Sequence, residues 1–384
     1  MKRWLNILIC LFPIMLWAAR SGHAQAPDTG SNAIHQMLVF LEKNQSDGQG
    51  TFPEGIFPSY RQYVFRPGVL KDDDNLFFTA LVVFTLNEVY PKLSAVDKAI
   101  VDNIRSKAIP AFDLYQNQKG RQTYNFWQTN PSKIFPHSGW MNWFDRQQAL
   151  PDDFDDTAMG LLAREADTET VKQVHQLMQG FTNRPGKRVR NTFKDYRPIP
   201  AYSVWFGEKF PVDFDVCVLA NTLYLVAAYQ LPWTAADSAS LTLLHMAIRN
   251  GDVVRHPDYI APHYHTTAIV LYHLSRLYGI CPQLLAEDKN QLLNAAKKLW
   301  AASENPIEKA LLGTSLKRFG YPVLNDSFEV DKIREYASSN FVFFIANMAS
   351  MLPNPLKSPI SNGGLAGLII IARPIIWHCF WRIN

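Results

Sequence analysis

Three observations predict an all-α fold, an α/α toroid: a barrel of helical hairpins with buried inner and amphipathic outer helices. Stretches that are apolar on every side alternate with stretches whose apolar residues return at helical spacing. The alternation recurs at roughly 40 to 60 residues, a unit that cannot bury its own face and must stack on its neighbours. No strand-type alternation of any length interrupts it. Closing the stack into a ring accounts for inner helices that are apolar all round, which an open solenoid would not require.

Taken in order, the chain opens on Met1-Lys2-Arg3, an apolar core and the small-residue site Gly22-His23-Ala24. Residues 1–24 therefore read as a signal peptide, which predicts an exported protein, periplasmic or extracellular. Residues 25–362 form the toroid domain. Within it, 33–43 has helical spacing, and Asp47-Gly48-Gln49-Gly50 makes a turn. Residues 76–89 are the first buried helix and 95–109 the first amphipathic one. The stretch 112–150 is long, aromatic and without period, which marks a functional or capping loop. Buried and surface helices then alternate: 155–164 and 168–181; 216–229 and 235–249, opened by Thr234; 267–278 and 284–302. Helices are also expected at 307–318, 331–336 and, buried, 341–351. The tail 363–384 is apolar but carries Arg373 and Pro374. It is expected to be a last buried hairpin or a membrane-contacting segment.

The net charge of +4 over 384 residues is far from a nucleic-acid-binding balance. Beyond the signal peptide the cysteines are Cys217, Cys281 and Cys379, too few and too odd for a disulfide scaffold. No obligate partner is indicated.

Acidic residues concentrate where buried helices begin. Asp152, Asp153, Asp155 and Asp156 precede one, Asp213 and Asp215 the next, and His263 and His265 a third. Aligned on these starts, Asp153 and Asp155 correspond to Asp213 and Asp215, to His263 and His265, and to Asn75 and Phe77. One aspartate per helix is an N-cap, and a second suits the helix dipole. Four carboxylates in five positions exceed that need, so a site at the ring's mouth is expected. The basic loop 184–197 is a solvated face or an anion grip.

Asp153-Phe154-Asp155-Asp156-Thr157-Ala158 resembles the Asp-x-Asp-Asp-Thr-Ala signature of class II terpene cyclases, enzymes built from α/α barrels. The resemblance implies Asp155 as a general acid that protonates an alkene or epoxide, with Asp153 and Asp156 holding its proton. A carboxyl group crowded by carboxylates resists ionisation, so the role is physically sound. Trp127, Trp140, Trp143, Trp205 and Phe206 would face cationic intermediates. Asp215-Val216-Cys217 and Tyr264-His265-Thr266 resemble the zinc-binding segments of protein prenyltransferase β-subunits. That likeness implies a zinc ion on Asp215, Cys217 and His265 as the alternative to a cofactor-free site.

The leading expectation is thus an exported terpenoid-cyclase-like enzyme, an isomerase or lyase, acting on an isoprenoid-like small molecule. The alternative is a polysaccharide-processing α/α barrel of glycoside hydrolase or lyase type, with Asp155 and Asp215 as acid and base on an oligosaccharide. A non-catalytic, ligand-binding toroid is the third.

Overall fold

The computed structural model describes residues 29–63, 69–137, 139, 150–323, 344–347, 350, 352, 356–357 and 369–372. The expected signal peptide, the expected helix at 331–336 and most of the tail lie outside them. What is described is mostly helical, as predicted.

Ten helices carry the architecture: α1 (Thr29–Asn44), α2 (Phe77–Val89), α3 (Ala95–Ala111), α4 (Phe154–Ala163), α5 (Thr168–Met178), α6 (Val216–Ala228), α7 (Ala235–Arg249), α8 (Thr267–Ile280), α9 (Lys289–Ala302) and α10 (Pro306–Arg318). The even-numbered helices are the apolar ones. Every residue of α4 is buried, as are almost all of α2 and α6. Each packs on the next, giving a row α2–α4–α6–α8–α10. The odd-numbered helices bury one stripe, as Val171, Val174, His175 and Met178 of α5 do at helical spacing. They stand behind the row: α3 on α2, α7 on α6 and α9 on α10.

One side chain joins its own helix to three other members of the row. Arg276 of α8 is 6% exposed. Its guanidinium lies 5.3 Å from the ring of Phe84 on α2 and 5.5 Å from that of Tyr224 on α6. It also donates to Asn221 Oδ1 on α6 and reaches the sulfur of Met159 on α4 at 4.0 Å. Cation–π contact and the amide oxygen replace the water this charge gives up.

The outer helices are latched by histidine–aspartate pairs. His35 of α1 meets Asp97 of α3 at 2.8 Å, and His175 of α5 meets Asp237 of α7 at 3.0 Å. Both pairs span 62 residues. Both aspartates stand three residues past a capping hydroxyl, Ser94 or Thr234. A close approach fixes Gly55 beside α3: its φ is +85°, and a Cβ there would sit 1.9 Å from Lys107 O.

Strands are present, contrary to expectation. β1 (Ser59–Tyr63), β2 (Leu70–Asp73), β3 (Ile345–Asn347) and β4 (Ile369–Ala372) form an antiparallel sheet of order β2-β1-β4-β3. Arg61 stands opposite Ala372, and Ile345 opposite Ile371. The helix expected over 341–351 is therefore incorrect at 345–347, where backbone pairing with β4 holds the chain extended. Within the tail, 369–372 pairs on both sides in this sheet rather than forming a hairpin of its own. Runs of three to five residues are too short to register as alternation.

Replacing Arg276 with Met should leave Asn221 Oδ1 unpaired at the centre of the row. We expect a loss of about 2–4 kcal/mol in urea unfolding, against less than about 1 for Arg249→Ala on the surface. Equal midpoints for the two variants would show that Arg276 does not tie the row together.

Candidate functional site

The acidic run divides between two compartments. Residues 152–153 are extended and lie beside 205–206: Asp153 bridges Trp205, and the Phe206 amide donates to Asp152 O at 2.9 Å. Successive side chains of an extended segment face opposite sides. Asp152 and Phe206 accordingly line an open groove of about 570 Å3, while Asp153 and Trp205 line a small cavity behind it. The same device occurs one unit earlier, where Asn75 bridges Trp127. Residue numbers put 52 positions between the partners in both bridges, Asn75 to Trp127 and Asp153 to Trp205.

The cavity, about 30 Å3, is walled by Phe126, Trp127, Leu150, Val204, Trp205, Val218 and Phe344, with Asp153, Asp155, Asp156 and His263 also lining it. That is room for one or two water molecules. Asp153 caps α4, its Oδ1 accepting from the Asp156 amide at 2.7 Å. Burial, opposed by its hydrogen bonds with Asp156, raises the Asp153 carboxyl to about 7. Burial and then the charge of Asp153 push Asp156 well above the ordinary carboxylate range. Two carboxyl groups in this relation retain a proton between them at neutral pH.

Asp155 is anchored instead. Its Oδ1 accepts from Asn221 Nδ2 at 2.6 Å, and its Oδ2 accepts from the Tyr264 hydroxyl. Burial raises its pKa, against the pull of those two donors and of the Arg276 charge. Arg276, Asn221 and Asp155 thus form one chain of hydrogen bonds from the centre of the row to the cavity.

Asp215 caps α6. Its Oδ1 accepts from the amides of Cys217 (2.8 Å) and Val218 (3.3 Å), and its Oδ2 from the amide of His263 at 3.0 Å. Burial raises it to about 6 although the His263 charge opposes this. Asp213 accepts from Asn191 at 2.7 Å and from Ser350 at 2.6 Å. Burial pushes its pKa up, but His263 and Lys357 outweigh burial and hold it low. His263 Nε2 lies 3.8 Å from Asp213 Oδ2, an ion pair rather than a hydrogen bond. Burial favours neutral imidazole, yet Asp213, Asp215 and Asp155 together raise the His263 pKa.

Three polar atoms of the cavity-lining residues make no hydrogen bond among the described residues: Asp156 Oδ1, Trp205 Nε1 and His263 Nε2. Buried groups left open in this way mark a place where a ligand or water fits.

The residues singled out in the sequence fall into groups. Asp153, Asp155, Asp156, Trp127, Trp205 and His263 meet at the cavity, with Asp213 and Asp215 directly behind His263. Phe206 is on the groove side, stacked on Phe154 at 4.3 Å. Trp140 and Trp143 lie outside the described residues. His265 is exposed at φ +67°, whereas Asp215 and Cys217 are fully buried, so the zinc trio is not brought together. Among the described residues no three metal-type side chains are arranged to hold an ion.

The repeat alignment needs correction. The capping positions are Asp153, Asp215 and Thr266, so Asp215 matches Asp153 rather than Asp155. His263 is a partner of the Asp213–Asp215 pair, not its counterpart. The cap falls where the backbone leaves the helix, which residue type alone does not reveal. Asn221, Arg276, Asn191, Ser350 and Phe344 were missed. Arg276 and Asn221 had a legible signal, a charge and an amide inside apolar helical runs. The earlier run Asp73-Asp74-Asn75 shows the structural version of the motif. There Asp73 is matched by Arg61 Nη1 (2.8 Å), Trp127 Nε1 (3.0 Å) and Asn75 (3.0 Å).

No protein-family model, curated protein or solved structure matches this chain.

Most of these titrations share one sign. Unfolded aspartates release their protons near pH 4, whereas Asp153 retains its own to about 7 and Asp215 to about 6. The folded state therefore binds more protons between about pH 4 and 7, and stability falls as pH rises through that window. His263, its pKa raised, adds stability below about 6.5 that is likewise lost on the alkaline side. Asp213, its pKa lowered, works oppositely but only below about pH 4. The melting temperature should accordingly be highest near about pH 4 and fall toward pH 8. Asp153→Asn, which keeps the cap, should flatten that slope in a calorimetric series; a profile rising from pH 5 to 8 would exclude the proton-retaining pair.

Proposed function

We propose that the protein is an exported enzyme of α/α-toroid type whose reaction begins with a proton from the Asp153–Asp156 pair, in the manner of terpenoid cyclases. One observation carries the reading. A carboxyl pair that keeps a proton near neutral pH is buried in an aromatic-walled cavity, and one of its oxygens, Asp156 Oδ1, is unengaged. An acid in such surroundings is poised to donate at neutral pH. The faces of Trp127, Trp205, Phe126 and Phe344 suit the cation that protonation of an alkene or epoxide creates.

The role expected for Asp155 moves one residue along. Both oxygens of Asp155 are engaged by Asn221 and Tyr264, so it is not the donor. An isoprenoid is larger than the cavity, and Phe344 is the wall to displace. Its ring rests on Phe77 (4.6 Å), Tyr264 (5.3 Å) and Phe126 (5.7 Å) and belongs to no helix of the row. A second reading, the processing of a saccharide chain by the same acid, is favoured by the open groove on the other side of the 152–153 segment.

The two readings separate in deuterium oxide with a panel of isoprenoid alcohols, epoxides and oligosaccharides. Protonation of an alkene leaves one carbon-bound deuterium in the product, whereas hydrolysis of a glycosidic bond or opening of an epoxide places none on carbon. Asp156→Asn should lower the rate about 10²–10⁴-fold. Full activity in Asp156→Asn would remove the proposed donor, and a product without carbon-bound deuterium would remove alkene protonation.

A further inference from the structure

The groove continues past the site. Its larger trough, about 570 Å3, shares Glu208, Lys209 and Phe210 with a second trough of about 390 Å3. Lys119, Arg121 and Lys133 face the larger trough, Lys187, Arg188 and Arg190 the smaller, and Lys209 both. Among the described residues, Asp152 and Glu208 are the only acids in either lining. This local excess is greater than the net +4 of the whole chain.

Part of this charge is already used. Lys133 pairs with Asp74 at 3.3 Å, Lys187 donates to Gly207 O at 2.6 Å, and Arg121 donates to Phe206 O at 3.4 Å. The side chains of Lys119, Arg188, Arg190 and Lys209 make no hydrogen bond or ion pair among the described residues, and all four are exposed. The backbone that carries two of them is anchored. Val189 is buried, and its amide donates to Asn183 Oδ1 at 2.8 Å, so Arg188 and Arg190 flank an anchored residue. The far end of the same loop is tied by Asn191 to Asp213 at 2.7 Å.

Neutral hydrogen-bonding side chains stand among the cations of the larger trough, including Gln118, Gln128, Thr129 and Ser132. Amides and hydroxyls match sugar hydroxyls, and guanidinium and ammonium groups match carboxylate or sulfate. The two troughs together exceed what one inorganic anion needs. Asp152 and Glu208 interrupt the positive field, which disfavours an unbroken phosphate chain.

We propose that the groove is a binding site for an anionic saccharide chain bearing carboxylate or sulfate groups. The site adjoins the acid cavity at Leu150, which lines both. Binding there does not depend on the reaction proposed above; if the saccharide reading of that reaction holds, this chain is its substrate class.

The experiment reads binding alone, by calorimetric titration of the full chain at low and at physiological salt. The probes are a galacturonate oligomer, a neutral oligomer of equal length, inorganic diphosphate and a single-stranded oligonucleotide. We expect the uronate oligomer to bind at least tenfold more tightly than the neutral one, and the Arg188→Ala, Arg190→Ala, Lys209→Ala triple variant to lose at least tenfold. Unchanged melting of that variant establishes that its fold is intact, and Asp156→Asn should bind like the parent. Equal binding of the neutral oligomer would overturn the proposal. So would equal binding of diphosphate or of the oligonucleotide, or a triple variant that binds undiminished.

Discussion

The first amides of a buried helix must be answered from inside the protein, because no water reaches them. In this chain the constraint is met with carboxylates: Asp153 answers α4 and Asp215 answers α6. Each such cap is a charge-bearing group placed in the interior, and each then needs a response of its own. For Asp215 the response is the His263 amide; for Asp73, a buried carboxylate one unit earlier that caps no helix, it is Arg61. For Asp153 it is a second acid, Asp156, and a retained proton. The three outcomes follow from what happens to stand opposite each carboxylate. Only the last leaves a group able to give something up.

The alternation of apolar and amphipathic stretches was legible because helices of this length repeat their pattern several times before they end. All ten helices overlap stretches expected to be helical, with ends that differ by a few residues. The convergence of Asp153, Asp155, Asp156 and His263 was also legible, since four carboxylates in five positions exceed what capping requires. Their separate roles were not. Whether Asp155 or Asp156 keeps a free oxygen depends on Asn221 and Tyr264, which stand 66 and 109 residues away from Asp155. No local pattern encodes such a partner. The sheet was illegible for a different reason, its strands being shorter than the window over which a period of two can be told from chance.

The short extended segment at 152–153 sets the logic of the region. It is a partition one backbone thick, with a small, aromatic compartment on one face and an open, cationic one on the other. The spacing of 52 residues between bridge partners recurs at Asn75–Trp127 and Asp153–Trp205, so the partition is built from repeated units of the fold rather than added to it. The 62-residue spacing of the histidine–aspartate latches shows the same economy on the outside. The proposed chemistry sits at a joint that the architecture already had to make.

β4 lies between β1 and β3, yet it belongs to the most distal described segment. During synthesis the ribosome must deliver nearly all the helices before β1 can acquire this neighbour. Until then β1 presents an unpaired edge of the kind that recruits other chains. A nascent or clipped polypeptide lacking 369–372 would therefore be a candidate for chaperone capture, or for self-association, although all ten helices of the described fold precede that point.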